Sequence, residues 1–211
     1  MGISYILFDL DNTLYPSSAL LFQEIARRMT LYVARLLDLS LEEALLLRRD
    51  YARRFGTTLG GLLAEQRLSD PEDFLEQVHP QNISDYLSPN PELASLLASL
   101  SWPKSIFTNS PLEYAKRVLE CLGLSRFFEN IFDIRFCKLQ GKPQPLSYQL
   151  VLSYLRLRPS EVLLIDDVEA YLMPFAAMGG KVVLLDETES ISTAYPKVKN
   201  LAELKGLVKI L

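Results

Sequence analysis

Five short apolar segments, each followed by a turn signal and then by a helical pattern, constrain the fold of this chain more than any other feature. They lie at residues 3–8, 104–108, 131–135, 161–165 and 181–185. Short apolar runs separated by helical patterns are typical of parallel strands joined by crossover helices. The last three read as strands buried on both faces. We therefore predict an α/β fold built on a five-stranded parallel sheet.

The helical patterns between these segments have recognisable ends. Ser110 and Pro111, followed by Glu113, predict a helix start, and the apolar spacing that follows ends at Gly123. Residues 168–178 form a second such pattern. Each of these helices is expected to pack one apolar face on the sheet.

A long interval, roughly residues 16–88, separates the first apolar segment from the second and holds no convincing strand. It is too long for an ordinary crossover connection. An amphipathic stretch covers residues 19–39, Ser40 and Glu43 form a capping box for a second helix, and Asp70 opens another. The interval therefore predicts an inserted helical unit.

The position of this insertion suggests a role as a lid. An insertion directly after the first strand lies over the C-terminal end of that strand, where ligands bind in open α/β sheets. We therefore predict a core domain of residues 1–15 and 89–211 and a helical cap domain of residues 16–88.

Charge and cysteine usage exclude several classes of protein. The chain has 22 Lys and Arg against 26 Asp and Glu and lacks a basic stripe, so a nucleic acid polymer is a poor partner. Cys121 and Cys137 form no CxxC motif, so we expect small core residues rather than a zinc site or a disulfide. No segment has the length of a signal or membrane-spanning sequence. We expect a cytoplasmic protein without membrane contact, as a monomer or homodimer.

Carboxylates follow two of the apolar segments. Asp9 and Asp11 end the first segment, and Asp166 and Asp167 end the fourth. Paired carboxylates favour a hard divalent cation, and a negative neighbour can raise the pKa of one acid until it keeps a proton near neutral pH. Taken alone, either pair also fits a turn or a helix cap.

Three polar residues and one lysine follow the other segments. Thr108 ends the second segment, and Asn109 and Ser110 lead into a helix start that can seat an anion, although this stretch alone favours Ser110 as a plain N-cap. Lys142 follows Gly141, which permits close backbone approach, so its ammonium can be a fixed charge for phosphate; a flexible surface lysine is the alternative. Because these groups share one sheet edge with the carboxylates, together they predict a magnesium and phosphate site.

Four stretches of this sequence, FDLDNTL, TNS, GKP and IDD, resemble in their order the four motifs of the haloacid dehalogenase (HAD) superfamily of phosphohydrolases. The resemblance spans nearly the whole chain. It implies the HAD fold, which is a Rossmann-like core with an inserted α-helical cap of the C1 type.

The resemblance also implies a role for each site residue. Asp9 would be the nucleophile and Asp11 the general acid and base. Mg²⁺ would be held by Asp9, the Asp11 carbonyl oxygen and Asp166. The phosphoryl group would be held by Thr108, Asn109 and Lys142.

These roles predict a phosphatase that works through an aspartyl-phosphate. Asp9 attacks phosphorus, Asp11 protonates the departing ester oxygen, and water activated by Asp11 completes the turnover. Mg²⁺ and Lys142 neutralise the repulsion between carboxylate and phosphate. A haloacid dehalogenase shares the nucleophile but does not need a proton donor two residues later, so Asp11 argues against that activity.

Two further stretches, FGTTLGGLL and VHPQNISDYLSPNPELASLL, resemble the pyrimidine 5'-nucleotidase branch of the superfamily. This resemblance implies a nucleoside 5'-monophosphate such as UMP or CMP as substrate. Sugar phosphates or other small phosphate esters are the alternative, and a phosphomutase or a non-catalytic phosphate-binding protein are lesser ones.

One position departs from the pattern of this branch. Members usually carry DDSxxN at the fourth motif, whereas Tyr171 stands here in place of the asparagine. The departure puts metal affinity and turnover rate in question, because loss of a group that supports the metal ligands typically costs about 10- to 100-fold. Asp167 or Glu169 is the candidate for compensating support.

The remaining polar residues have ordinary explanations. His79, the only histidine, is expected at a helix end or on the surface rather than as a base. Arginine pairs begin at Arg27, Arg48 and Arg53. Solvated helix faces explain these pairs, and steering of phosphate is the alternative.

Overall fold

The computed structural model describes residues 2–207 and contains one parallel sheet with strand order β3-β2-β1-β4-β5-β6. The strands are β1 (Tyr5–Phe8), β2 (Lys104–Phe107), β3 (Ile131–Phe132), β4 (Val162–Asp166), β5 (Lys181–Leu185) and β6 (Lys197–Val198). All neighbouring pairs are parallel, so the C-terminal ends of the strands lie along one edge.

Nine α-helices accompany the strands in the described residues. They are α1 (Leu21–Leu37), α2 (Leu41–Phe55), α3 (Thr58–Ala64), α4 (Pro71–Val78), α5 (Pro91–Ser99), α6 (Leu112–Leu122), α7 (Pro145–Leu155), α8 (Glu169–Ala177) and α9 (Leu204–Leu207). The first five stand between β1 and β2, and α6, α7 and α8 each connect two strands. None of these helices combines the length and apolarity that crossing a bilayer requires.

The prediction of five strands is wrong by one, because the two-residue β6 pairs with β5 at the sheet edge. A strand so short carries no periodicity that a sequence could reveal. The predicted strand at 131–135 is also shorter, since the chain turns at Asp133. The Asp133 carboxylate accepts the backbone N–H of Leu112 at 3.1 Å and that of Phe136 at 2.8 Å.

Alternation along the strands fills two apolar clusters, one on each face of the sheet. Ile6 and Phe8 pack in the cluster that includes the inner face of α6, whereas Tyr5 and Leu7 pack in the cluster that includes residues of α7 and α8. Side chains on a strand point alternately to opposite faces, so burial on both faces requires a continuous apolar run. This explains why β1 reads as an uninterrupted apolar segment and why Asp9 falls where it stops.

Helices α1–α4, hereafter the helical unit, have an apolar cluster of their own. Tyr51 and Phe74 are central members of it, and Ile134, from the loop after β3, also belongs to it. The predicted capping box is present, because Ser40 accepts from the Glu43 N–H and the Glu43 carboxylate accepts from the Ser40 N–H. The helical unit therefore contacts the C-terminal edge of the sheet, while the domain boundaries at 15/16 and 88/89 stay a prediction.

Candidate active site

The structure brings the predicted residues of three strand ends together. The backbone N–H of Asp9, directly after β1, donates to the carbonyl of Ile165 in β4 at 2.9 Å. That of Thr108, directly after β2, donates to Phe132 in β3 at 3.0 Å, and Asp166 is the last residue of β4. Since β2, β1 and β4 are neighbours, these three side chains share one stretch of the sheet edge.

Lys142 lies at the centre of this cluster and is fully buried. Its Nζ is 2.7 Å from Asp9 Oδ1 and 2.6 Å from Asp166 Oδ2. The alternative of a flexible surface lysine is therefore wrong. Although burial lowers the pKa of Lys142, the two carboxylates outweigh it and hold that pKa above its usual range.

Asn109 holds the lysine in place through the backbone. Its Oδ1 accepts the N–H of Lys142 at 2.7 Å, and its Nδ2 donates to the carbonyl of Lys142 at 2.9 Å. A Cβ on Gly141 would approach Asn109 Oδ1 to 2.2 Å, so the glycine makes this close approach feasible. This backbone contact is a function of Asn109 that sequence reasoning missed.

Asp167 joins Asp9 and Asp166 in a compact carboxylate cluster, in which one oxygen from each residue lies within 4.8 Å of the other two. Burial raises the pKa of Asp9 and of Asp166, and the Lys142 ammonium opposes that increase. Burial and its two carboxylate neighbours raise the pKa of Asp167 to about 8. Two buried carboxylates and the half-buried Asp167 thus face one ammonium, and this oxygen-rich set with surplus negative charge fits a hard divalent cation such as Mg²⁺.

The cluster contains the predicted Asp9 and Asp166 together with Asp167, which was expected only as a support, and the side chain of Asp11 lies outside it. The Asp11 carboxylate accepts three hydroxyl hydrogen bonds instead. Tyr15 at 2.5 Å and Tyr114 at 2.7 Å donate to Oδ1, and Ser110 donates to Oδ2 at 2.6 Å. Coordination by the Asp11 carbonyl oxygen stays a prediction.

Tyr15 and Tyr114 lie in the candidate site, although the sequence predicted no contact of either tyrosine with Asp11. Burial, followed by the charge of Asp11, raises the pKa of both tyrosines well above its ordinary value. Both hydroxyls therefore keep their protons and donate to Asp11 across the whole neutral range. Together they fix the orientation of a carboxylate that lies two residues after Asp9.

The expectation that Ser110 is only an N-cap is wrong. The N-cap position of α6 is Pro111, and no side chain caps the helix there. The Asp133 carboxylate satisfies the free N–H of Leu112, at 3.1 Å, in place of a capping hydroxyl. This arrangement leaves the Ser110 hydroxyl available to Asp11.

Thr108 and Thr13 complete the polar floor. The buried Thr108 hydroxyl accepts the N–H of Ser110 at 3.0 Å. Thr13, which belongs to the first quoted motif but carried no predicted role, donates to Asp9 Oδ2 at 3.3 Å. Asp9 therefore has a donor on each of its oxygens, which restricts the rotation of its carboxylate.

Tyr171, the residue that departs from the nucleotidase pattern, connects the site to the helical unit. Its hydroxyl donates to the carbonyl of Gly56, directly after α2, at 2.8 Å. Its ring centroid lies 5.4 Å from Lys142 Nζ, within the range of a cation–π interaction. Gly56 has φ +85°, and a Cβ there would approach Pro143 to 2.1 Å, so this junction requires glycine.

A cavity of about 170 Å³ lies between the sheet edge and the helical unit. Asp9, Thr108 and Asp167 line it on the side of the sheet, and Phe22 and Phe74 line it on the side of the helical unit. A polar floor under a mainly apolar roof is typical of a small-molecule site that excludes water. Asp9 is thus both buried and accessible to a ligand.

His79 also lines this cavity, at the C-terminal end of α4. His79 is buried, so the expected position on the surface is wrong, whereas the expected position at a helix end is confirmed. Its Nδ1 lies 2.7 Å from the carbonyl oxygen of Leu75, and burial lowers its pKa to about 4. The ring is therefore neutral at physiological pH, and its one N–H, on Nδ1, donates to the Leu75 carbonyl rather than to a substrate.

The surplus negative charge of the carboxylate cluster predicts that ionised Asp167 destabilises the metal-free protein. A carboxyl whose pKa is raised in the folded state stabilises the protein at low pH, and that stability is lost as the pH rises toward about 8. We expect Asp167→Asn to raise the melting temperature of the metal-free protein at pH 8, by about 2–4 °C per kcal/mol gained. Mg²⁺ should stabilise the wild type and should stabilise the variant less. Thermal denaturation with EDTA or with Mg²⁺ measures both effects, and equal responses of the two proteins to Mg²⁺ would exclude Asp167 from the cation site.

Comparison with known proteins agrees with this geometry. The sequence profile of the haloacid dehalogenase-like hydrolases matches residues 3–180. Phosphate metabolism protein 8 of Saccharomyces cerevisiae is 28% identical over 134 residues, which are 59% of this chain and 41% of that protein. Validoxylamine A 7'-phosphate phosphatase of Streptomyces hygroscopicus subsp. limoneus is 26% identical over 117 residues, 54% of each chain. The matches thus span about two fifths and about half of the length of these relatives.

Solved structures extend the likeness to the whole fold. The L-2-haloacid dehalogenase of Xanthobacter autotrophicus with covalently bound chloropropionic acid superposes with a TM-score of 0.63 at 20% identity, over 98% of each chain. A HAD phosphatase of Thermococcus onnurineus gives a TM-score of 0.62 at 18% identity, over 99% of this chain and 98% of that one. These likenesses confirm the predicted α/β, Rossmann-like HAD fold. Because the family profile covers most of the sequence, this chain belongs to the haloacid dehalogenase-like hydrolases.

Proposed function

We propose that this protein is a magnesium-dependent phosphatase that hydrolyses small phosphomonoesters through an aspartyl-phosphate on Asp9. The observation that carries the proposal is the pair of differently held carboxylates at the cavity. Asp9 is fixed by Lys142 and Thr13, whereas Asp11 is surrounded by hydroxyl groups and lies outside the carboxylate cluster. This difference supports Asp9 as the nucleophile and Asp11 as the proton carrier.

The first step forms a bond between an Asp9 oxygen and phosphorus and breaks the ester bond. This step requires the protonated form of Asp11, which gives its proton to the departing oxygen, so the alcohol leaves neutral. Lys142 holds its positive charge beside Asp9 and reduces the repulsion between the carboxylate and the dianionic phosphate. Thr108 lines the cavity, which supports a contact of its hydroxyl with a phosphoryl oxygen, and Asn109 acts by fixing the backbone of Lys142.

The second step returns the enzyme to its starting state. Asp11, now a carboxylate, takes a proton from water, the water oxygen bonds to phosphorus, and the bond from Asp9 to phosphorus breaks. Tyr15 and Tyr114 orient the Asp11 carboxylate for this transfer. Asp9, Asp166 and Asp167 are the residues that would hold Mg²⁺, which when bound neutralises charge on the phosphoryl oxygens.

The identity of the leaving group is proposed on two grounds. The resemblance to pyrimidine 5'-nucleotidases supports a nucleoside monophosphate. The cavity volume of about 170 Å³ favours a smaller ester, because an engineered cavity of about 150 Å³ accommodates a molecule the size of benzene. A nucleotide would therefore require the helical unit to move away from the sheet edge, whereas a short-chain or sugar phosphate fits with less movement.

A substrate panel tests the proposed function. Phosphate release is measured from UMP, CMP, glucose 6-phosphate and p-nitrophenyl phosphate with Mg²⁺ or with EDTA, and chloride release from 2-chloropropionate. We expect release of phosphate from at least one ester only with Mg²⁺, and no release of chloride. Turnover of no ester, or release of chloride, would contradict the phosphatase. Preference for the sugar phosphate over both nucleotides would contradict the nucleotidase alone.

A further inference from the structure

Arg48 differs from the other paired arginines of the helical unit. The arginines of the other two pairs all form salt bridges, Arg27 and Arg28 with Glu24 and Arg53 and Arg54 with Asp50. Arg54 also pairs with Glu65. Within residues 2–207, no carboxylate pairs with Arg48, and the neighbouring charge that acts on it is the like charge of Arg49. A solvated helix face explains the other pairs but leaves this guanidinium without an anion.

The side chain of Arg48 lines the same cavity as Asp9. Its Nη1 donates to the Thr30 hydroxyl at 2.8 Å, and Nη2 makes a long contact of 3.6 Å with the sulfur of Met29. Its Nε is buried and has no hydrogen-bond partner among residues 2–207. Burial lowers the pKa of Arg48 to about 10, so the group is still a cation at neutral pH. Because buried polar groups are normally hydrogen-bonded, a ligand in the cavity that carries an acceptor could satisfy this N–H.

We propose that Arg48 binds an anionic oxygen group on the leaving-group side of the substrate, so that the preferred esters carry a carboxylate or a second phosphate. The inference rests on the proposed phosphatase function. The planar guanidinium matches such groups through two parallel hydrogen bonds, and an anion would both satisfy Nε and supply the missing counter-charge. Asp9 then faces the phosphate and Arg48 binds the second anionic group of one small ester, which agrees with the limited size of the cavity.

Two esters of nearly equal size test this assignment. 2-Phosphoglycolate carries a carboxylate where ethyl phosphate carries a methyl group. For the wild type we expect kcat/KM to be at least about tenfold higher for 2-phosphoglycolate, since a hydrogen bond to a charged group is among the stronger ones. In Arg48→Met the ratio of the two kcat/KM values should fall toward one. Arg48→Lys, which keeps the positive charge but lacks the planar guanidinium, should give an intermediate ratio.

Arg49→Met is the matched control, because Arg49 is the exposed neighbour on the same helix. It should keep the wild-type ratio, and thermal denaturation should show that all variants are folded. Equal kcat/KM for the two esters in the wild type, or an unchanged ratio in Arg48→Met, would overturn the proposal. Loss of UMP turnover in Arg48→Met without any effect on 2-phosphoglycolate would also overturn it and would indicate a neutral base carbonyl as the acceptor.

Failure of the phosphatase function is distinguishable from failure of this inference. If no ester is turned over, calorimetric titration of wild type and Arg48→Met with 2-phosphoglycolate and Mg²⁺ still measures the contact. The proposal expects dissociation constants that differ by about tenfold or more. Equal constants, or no binding to the wild type, would contradict it.

Discussion

Asp9→Asn should abolish phosphate release, with a loss of at least about 10⁴-fold in kcat. An amide has nearly the volume of the carboxylate but lacks the charge and the nucleophilic oxygen that attack phosphorus. It also leaves Asp166 to pair with Lys142, so the fold should persist. Initial rates at saturating substrate and Mg²⁺ measure the loss, and thermal denaturation verifies the fold.

Asp186→Asn provides a matched control for this variant. Asp186 is also a buried aspartate that directly follows a strand, and it also pairs with a lysine, Lys197, at 3.1 Å. It lies outside the carboxylate cluster and outside the cavity. Asp186→Asn should therefore keep its activity. An Asp9→Asn enzyme that retains more than about one per cent of the wild-type rate would contradict the assigned nucleophile.

Lys142→Met should reduce both activity and stability. Methionine keeps an unbranched apolar side chain but leaves the buried carboxylates of Asp9 and Asp166 without their ammonium. Breaking a buried ion pair by removing one partner costs about 3–5 kcal/mol, which corresponds to a decrease of about 6–20 °C in melting temperature. Loss of the fixed charge beside the reacting phosphate should cost about 10²- to 10³-fold in kcat.

Two further measurements distinguish unpaired carboxylates from a packing defect as the cause of this instability. Mg²⁺ should restore part of the melting temperature of Lys142→Met, because a cation in the carboxylate cluster replaces the lost charge. The additional substitution Asp166→Asn should also restore stability, since it removes one of the unpaired carboxylates. Lys197→Met, at the more exposed pair with Asp186, should have a smaller effect. A metal-free Lys142→Met protein as stable as the wild type would contradict the electrostatic account of this cluster.

The sequence predicted the positions of those site residues that directly follow a strand of the parallel sheet. Asp9, Thr108 and Asp166 each end an apolar run, and parallel strands place such ends at one edge, so their proximity could be predicted without a structure. Gly141 next to Lys142 indicated close backbone approach, and the structure contains that approach at Asn109. In these cases a short stretch carries the signal by itself.

The contacts around Asp11 could not be predicted, because they join residues that are distant in sequence. Tyr114 reaches Asp11 from α6, and nothing in its neighbourhood distinguishes it from an ordinary core tyrosine. Ser110 matched the chemistry of an N-cap, and only the position of Asp133 releases it from that role. Arg48 lies in a pair that looks like the others, and only the structure shows that no carboxylate of residues 2–207 pairs with it. Such differences depend on packing, which a single sequence does not display.

Tyr171, which departs from the family pattern, makes contacts in the structure that the sequence did not predict. The sequence suggested a weaker metal shell at this position. In the structure its hydroxyl instead binds the carbonyl of Gly56, and its ring lies against Lys142. The residue therefore couples the position of the helical unit to the charged cluster, while Asp167 supplies the third carboxylate.

Trapping of the phosphorylated enzyme tests the central claim most directly. In Asp11→Asn the water step should be slow, whereas acetyl phosphate, whose leaving group needs no proton, should still react with Asp9. We expect acid quenching and peptide mass spectrometry to find one phosphoryl group on the peptide that contains Asp9, and to find none when Asp9→Asn is added. A phosphoryl group on another residue, such as Ser110 or His79, would contradict the account, as would phosphate release by Asp11→Asn at the wild-type rate without any labelled peptide.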